Sequence, residues 1–288
     1  MIEPALNPES GFRRLRIDLA YDGTNFAGWA KQPEQRTLQG SIEEVLARML
    51  RIPVKTVVAG RTDAGVHAAG QVVHVDIPNN LAPSRYRPDE ELLDFEHFKF
   101  RLNQMLDAEI RILEVRAAPT NFDARFSASA RHYRYKLLDG NQDLPPLQRF
   151  DAATWFRPLD IELMNLASAT LLGKHDFSTF CRYREGGRRL RTLLKFNWNR
   201  DSEGFVICEI SADGFGWNMV RNLVGAAVCV GEGRFPPGWM NEILTQTTRV
   251  SDSYVFPARG LTLVSVDYPT PAELEEIVLG TFAKELSF

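Results

Sequence analysis

The sequence predicts an α+β fold made of two tandem split β-α-β units, on three observations. Between Arg16 and Val115 the apolar residues recur at the spacing of a strand, a helix, two strands, a helix and a strand, the order β-α-β-β-α-β. That order returns between Arg131 and Asp267. With 288 residues, 44% of them apolar, the chain can bury one large core or two ordinary ones. Joined edge to edge, the two units would form a continuous, mostly antiparallel sheet with helices on one face and a central cleft across the other. Residues 1–118 and 119–269 are the expected subdomains, with 270–288 as a helical tail. The first subdomain would carry the loop around Asp63.

In the first half, Arg16–Tyr21 places Ile17, Leu19 and Tyr21 on one face and then breaks at Asp22-Gly23, a strand and its turn. Leu38, Ile42, Val45, Leu46 and Met49 have helical spacing within Thr37–Leu50, and Pro53 lies beyond that helix. Strands follow at about Val54–Val58 and Val72–Ile77. After a polar, acidic insertion from Pro78 to Phe98, the residues Phe98, Leu102, Met105 and Leu106 mark a second helix, and Ile110–Val115 a strand.

In the second half, Arg131–Leu138 alternates as a strand. Asp160 can cap a helix running through Leu172 to Gly173, and Leu193–Asn199 can pair with Phe205–Ser211 across Asp201-Ser202-Glu203-Gly204. Trp217–Val230 carries the helical stripe Val220, Leu223, Val224, Ala227 and Val228. A short helix is expected near Trp239–Leu244 and a last strand at Leu261–Asp267. In the tail, Thr270 is placed as a helix cap with Pro271 at the first helical position, and Leu274, Ile277, Val278 and Phe282 share a face. The halves share element order rather than residues.

One loop stands out. Ala59-Gly60-Arg61-Thr62-Asp63-Ala64-Gly65-Val66-His67 is polar and glycine-lined yet lies between two apolar strands, where a site is readily built. An Asp beside a Gly ordinarily makes only a turn. Here Arg61 lies two residues before Asp63, and His67 keeps the segment polar.

The formal net charge of −3 argues against a polyanionic partner until its distribution is considered. Cys181–Lys195 holds Arg182, Arg184, Arg188, Arg189, Arg191 and Lys195 against Glu185 alone, a local +5 that leaves −8 for the rest. Arg125, Arg131, Arg134 and Lys136 form a second basic group interleaved with Phe126, Tyr133 and Tyr135. Basic residues alternating with aromatics favour a nucleic-acid groove on an otherwise acidic protein. The three cysteines, Cys181, Cys208 and Cys229, are far apart and form no C-x-x-C pair, and the five histidines lack ligand spacing. No metal is expected. No apolar run is long enough for a membrane span, and Met1–Gly11 lacks an apolar signal core, so a cytoplasmic protein is expected.

Several blocks together resemble the TruA family of tRNA pseudouridine synthases. They are Tyr21-Asp22-Gly23-Thr24-Asn25-Phe26-Ala27-Gly28-Trp29, the Gly60–His67 loop with Gly70-Gln71-Val72-Val73-His74, Phe122–Ala128 leading to Arg131-His132-Tyr133-Arg134-Tyr135, Met219–Gly225, and Gly260–Leu263 with Val266–Pro269. The blocks run in order from residue 21 to 269, and Gly-Arg-Thr-Asp-Ala-Gly-Val-His is the most specific. The resemblance implies the pseudouridine synthase fold, with two ferredoxin-like or RRM-like units. It also implies a cofactor-free isomerase acting on uridines 38, 39 and 40 of the tRNA anticodon arm, working as a homodimer in which one RNA contacts both subunits.

Carried over residue by residue, the resemblance makes Asp63 the nucleophile and Arg221 the basic residue opposite it. Tyr133 becomes the tyrosine that stacks on the target uracil. Arg61 would fill the space left by the flipped nucleotide or hold a phosphate. Thr62, His67, Arg125, Arg131, Arg134, Arg182, Arg184 and Arg188 complete the expected RNA contacts. Attack at uracil C6 and at ribose C1′ both remain open. Asn218 stands where the family frequently has histidine. Two rival readings are a non-catalytic RNA-binding module, for which no RNP1-like run exists, and a hydrolase pairing Asp63 with Asp22, Asp76 or Asp123.

Overall fold

The computed structural model describes residues 7–80, 94–182, 189–245 and 254–276. The chain forms two compact units assembled from non-contiguous segments. One comprises 1–62, 68–129 and 266–288, and the other 63–67 and 130–265. This division differs from the expected boundaries at 118 and 269 in one consequential way: Asp63–His67 clusters with the second unit, not the first.

In the first unit, β1 (Phe12–Tyr21), α1 (Leu38–Leu50), β2 (Thr56–Val58), β3 (His67–Pro78), α2 (Phe95–Met105) and β4 (Ile110–Ala117) follow one another. The strands lie in the order β4-β1-β3-β2, the last strand beside the first and the third before the second. Pairing of β1 with β3 and β4, and of β2 with β3, is antiparallel, with Ile17 opposite Val73 on one side and Val115 on the other. The alternation read from β1 buries Leu15, Ile17, Leu19 and Tyr21. At α1 the Thr37 hydroxyl accepts the Gly40 N–H, and at α2 the Asp94 carboxylate accepts the His97 N–H, each satisfying an orphan donor of a helix start. Strand β3 begins five residues earlier than its apolar run. Ala68-Ala69-Gly70 has little strand preference, but Tyr21 pairs with Ala68 beyond a bulge in β1 and draws it into the ladder.

Buried Arg14 organises the far end of this unit. Its guanidinium donates to both oxygens of Asp76, at 2.7 and 2.8 Å, and to the Phe122 carbonyl at 2.7 Å. His74 accepts the Ala124 N–H at 2.9 Å, and burial beside Arg14 lowers its pKa to about 4, so the ring is neutral. Asp123 in turn caps the backbone N–H groups of Arg125 and Phe126.

The second unit contains β5 (Ala130–Leu138), β6 (Ala153–Thr154), α3 (Ile161–Ala169), β7 (Gly173–Asp176), β8 (Leu190–Arg200), β9 (Val206–Ala212), α4 (Met219–Gly231), α5 (Trp239–Leu244) and, as far as Ser265, β10 (Leu261–Asp267). Its order, β10-β5-β9-β8, repeats that of the first unit, with β7 added at the edge of β8 and β6 on β5. Both additions are too short and polar to show periodicity, which is why the sequence reading passes over them. β8 and β9 pair antiparallel with Phe196 opposite Ile210 and Trp198 opposite Cys208. Asp160 caps α3 as expected.

Helix α4 is apolar nearly all round, and such a helix must be buried. Of its residues only Arg221 escapes full burial. Residues 271–276 are helical, and the Thr270 hydroxyl and Glu273 carboxylate form a reciprocal capping box with each other's backbone N–H groups. Ile277, Val278, Phe282 and most of the acidic insertion lie outside the described residues. Among the described residues no helix is long and apolar enough to cross a membrane.

Candidate active site

The second unit builds its site from a tight turn and one end of α4. Asp63-Ala64-Gly65-Val66 is closed by a bond from the Val66 N–H to the Asp63 carbonyl at 3.2 Å. Gly65 has φ +76, and a Cβ there would stand 3.2 Å from the Cβ of Ala258. Both facts call for glycine. The His67 ring closes the far side of the turn, its Nε2 donating to the Arg259 carbonyl at 3.2 Å while the ring is buried. His67 is therefore spent on holding the loop. So is Thr62, in the first unit: its hydroxyl pairs with the Tyr21 phenol at 2.8 Å, its carbonyl accepts the Trp29 N–H, and it is buried. Both side chains are buried and bonded within the protein.

The turn sets the Asp63 carboxyl in a half-buried position. Burial raises its pKa above the usual carboxylate range, and two neighbours oppose the rise: the charge of Arg221 and a hydrogen bond from the Trp217 side chain. Ionisation is thus costly in solvation and supported by specific partners, the pattern of a tuned group. Arg221 is itself pinned. Its Nε donates to the Phe256 carbonyl at 2.6 Å and its Nη1 to Asn218 Oδ1 at 3.3 Å. Asn218 occupies the left-handed region at φ 59, which Asn tolerates better than most residues, and its side chain serves Arg221 rather than capping α4.

On β5 the period of two sorts the expected residues by face. Tyr133 and Tyr135 are buried, whereas Arg134 between them is exposed on the opposite face. Arg131 is on the Tyr133 face, where it donates to the Asp213 carbonyl at 2.8 Å. The strand therefore separates Arg134 from the tyrosines instead of gathering one basic cluster around them. The Tyr133 ring meets the edge of Phe215 at 5.2 Å, nearly perpendicular. Tyr135 donates its phenol to the Pro257 carbonyl at 2.8 Å, and burial holds it protonated.

Arg61 and Arg125 are exposed, the latter stacked on Phe126. Arg182 is exposed as well, and Arg184 and Arg188 lie outside the described residues. Asp76 and Asp123 are committed to Arg14 and to backbone N–H groups, and Asp22 holds Thr24, so the rival hydrolase finds no second carboxyl among them.

Sequence reasoning missed Phe215 and Trp217. The available signal was Gly214-Phe215-Gly216-Trp217, aromatics alternating with glycines just before a helix. Gly216 is demanded by packing, since a Cβ there would lie 2.3 Å from the Cys181 sulfur. That thiol is itself pushed up to about 11 by burial, which leaves it inert.

Comparison with known proteins places the chain in a family. A family model described as tRNA pseudouridine synthase matches residues 167–269. A protein of Frankia casuarinae named tRNA pseudouridine synthase A is 49% identical over 265 residues, covering 92% of this chain and 92% of that protein. Proteins of the same name from Mycobacterium leprae and Leifsonia xyli subsp. xyli are each 47% identical over 270 residues, covering 91% of this chain and 92% and 93% of theirs.

Proposed function

This chain belongs to the tRNA pseudouridine synthase A family, isomerases of uridine in tRNA, and we propose that it acts at positions 38, 39 and/or 40 of the anticodon stem-loop with Asp63 as nucleophile. The observation that carries the assignment of the nucleophile is the half-buried Asp63 carboxyl opposed by the one incompletely buried residue of α4, Arg221. The reaction breaks the N1–C1′ bond, forms a C5–C1′ bond, loses the proton from C5 and gains one at N1, so no co-reactant is consumed. A carboxylate can add covalently, at uracil C6 or ribose C1′, and leave again. Arg221 favours the ionised form that such an attack needs. Tyr133 is the candidate to stack on the base and to take the C5 proton.

Reaching a base in a stem or loop requires taking it out of its stack, at a few kcal/mol. Arg61, Arg125 and Arg182, each exposed, would offset this through phosphate contacts, whose signature is salt-dependent binding. We extend the family's homodimer and a cytoplasmic location to this chain on the same footing.

Release of tritium from tRNA carrying uridine tritiated at carbon 5 tests the reaction, with Asp63→Asn as the control. Wild type should release label and the variant should not. No release by wild type sinks the activity, and full release by Asp63→Asn sinks the site. Tyr133→Phe should bind tRNA nearly normally in filter binding yet turn over slowly. Equal losses in binding and rate would mark a ring that only packs.

A further inference from the structure

Within the second unit, residues 214–218 run from Tyr133, whose ring meets Phe215 at 5.2 Å, to Arg221, whose Nη1 donates to Asn218 Oδ1 at 3.3 Å. Between 211 and 221 the exposed residue is Trp217, with 46% of its surface open to solvent. A lone exposed apolar side chain calls for no explanation. What distinguishes this one is how firmly it is held. Its carbonyl accepts the Arg182 N–H at 2.9 Å, and Gly216 before it packs against Cys181 without room for a side chain. The Asn222 side-chain amide donates to the Phe180 carbonyl at 2.7 Å, which ties residues 180–182 to α4. A ring carried on so fixed a frame loses little conformational freedom when something stacks on it.

The surrounding charges select the partner. The Arg182 guanidinium lies 4.3 Å from the Trp217 ring centroid, Arg131 donates to the Asp213 carbonyl at 2.8 Å, and a Cβ on Gly214 would stand 3.6 Å from Arg191 Nη1. Asp213, the carboxylate of this stretch, accepts the Thr192 N–H at 3.0 Å. Guanidiniums around a presented aromatic match a nucleotide, with its base on the ring and its phosphate on a cation. An apolar protein face laid there would instead desolvate those charges.

We propose that Trp217 and Arg182 form a stacking platform for an unpaired nucleotide of the tRNA: the base lies on the indole surface that Arg182 leaves open, and the guanidinium takes the adjoining phosphate. The proposal rests on the reading of the Asp63 site as the place where tRNA is modified. Every base has a π face, so the platform tolerates any sequence. It suits a stem-loop, whose loop nucleotides splay out, and has nothing to grip in a duplex whose bases stay paired.

The test is filter binding to tRNA and to a blunt RNA duplex of similar length, using the full chain carrying Asp63→Asn so that turnover does not intervene. Trp217→Phe and Trp217→Leu both remove the indole N–H and differ in the aromatic face. The Leu variant should bind tRNA about tenfold more weakly and the Phe variant less than about threefold, while duplex binding changes by less than about twofold in both. Salt separates ring from charge: Arg182→Gln should lower the slope of log affinity against log salt by about one, and Trp217→Leu should leave it unchanged. A Leu variant that binds tRNA like its parent, a Phe variant as weak as Leu, or equal losses on tRNA and duplex would each overturn the proposal. So would altered sedimentation of the Leu variant with unaltered tRNA binding, which would assign the ring to a contact between copies of this chain. Tritium release by wild type and by Asp63→Asn keeps the two claims apart. If Asp63→Asn is inactive and Trp217→Leu binds normally, only the platform fails; if Asp63→Asn is active, the nucleophile assignment fails and the contrast between Phe and Leu still judges the platform.

Discussion

Replacing Gly225 by Ala adds one methyl group in the middle of α4, yet it should damage both stability and rate. A Cβ at this position would meet the Tyr254 carbonyl oxygen at 1.7 Å and its carbon at 2.8 Å, both backbone atoms. To reach an ordinary contact near 3.4 Å the carbonyl must retreat by about 1.7 Å. The displaced segment carries the Phe256 carbonyl two residues on, which accepts Arg221 Nε at 2.6 Å, and the Phe256 N–H in turn reaches the Arg221 carbonyl at 3.3 Å. Arg221 lies one helical turn before Gly225, so one methyl group pushes the strap away from the guanidinium it anchors.

Overpacking costs about 1–3 kcal/mol and the weakened bond to a charged donor a comparable amount. A total of about 3 kcal/mol corresponds to a fall of roughly 6–12 °C in Tm, at about 2–4 °C per kcal/mol. Misplacing Arg221 by about 1 Å should also slow single-turnover tritium release by about a hundredfold. Urea melts and the release assay check the two arms. A Gly225→Ala protein within about 1 kcal/mol of wild type and equally active would refute the claim that this strap holds the site.

Two further predictions concern pH. Burial raises the folded-state pKa of Asp63 above its unfolded value, so the native state bears a cost wherever both states are ionised and none where both are neutral. Asp63→Asn should therefore be more stable than wild type at neutral pH, with the gap closing as pH falls through the folded and then the unfolded pKa. Urea melts across that range decide it, and equal or lower stability of the variant at neutral pH would count against the burial argument. Asp139 has the opposite sign. Arg200 grips both its oxygens at 2.6 and 3.0 Å, the Leu159 N–H donates at 2.7 Å, and its pKa is lowered despite burial. Its contribution is complete above the unfolded pKa and is lost as pH falls through the folded one. Asp139→Asn should cost about 1–3 kcal/mol at neutral pH, discounted because Arg200 is partly exposed, and the difference from wild type should shrink in acid.

The elements most legible in the sequence were those whose periodicity and end signals agree. β1, α1, α5 and β10 carry apolar patterns long enough to read, and Thr37, Asp94, Asp160 and Thr270 satisfy helix starts wherever they stand. β6, β7 and the early part of β3 were not legible, because their residues pair through the backbone and their neighbours decide it. At the site, Asp63 and Arg221 could be named from their motifs. That Thr62 and His67 would be consumed internally, and that Arg134 would face away from Tyr133, depends on contacts and strand direction.

Local pattern thus determined which of the longer segments become strands and helices, that basic and aromatic residues alternate in two stretches, and which aspartate lies in a glycine-lined turn. Those properties depend on residues close together in the chain, where backbone sterics and side-chain spacing act directly. Tertiary structure alone decided that the charge of Arg221, 158 residues beyond Asp63, acts on its half-buried carboxyl, and that Gly225 admits the segment holding Arg221. Desolvation, charge and hydrogen-bond direction are properties of groups brought together through space, and no spacing along the chain encodes them.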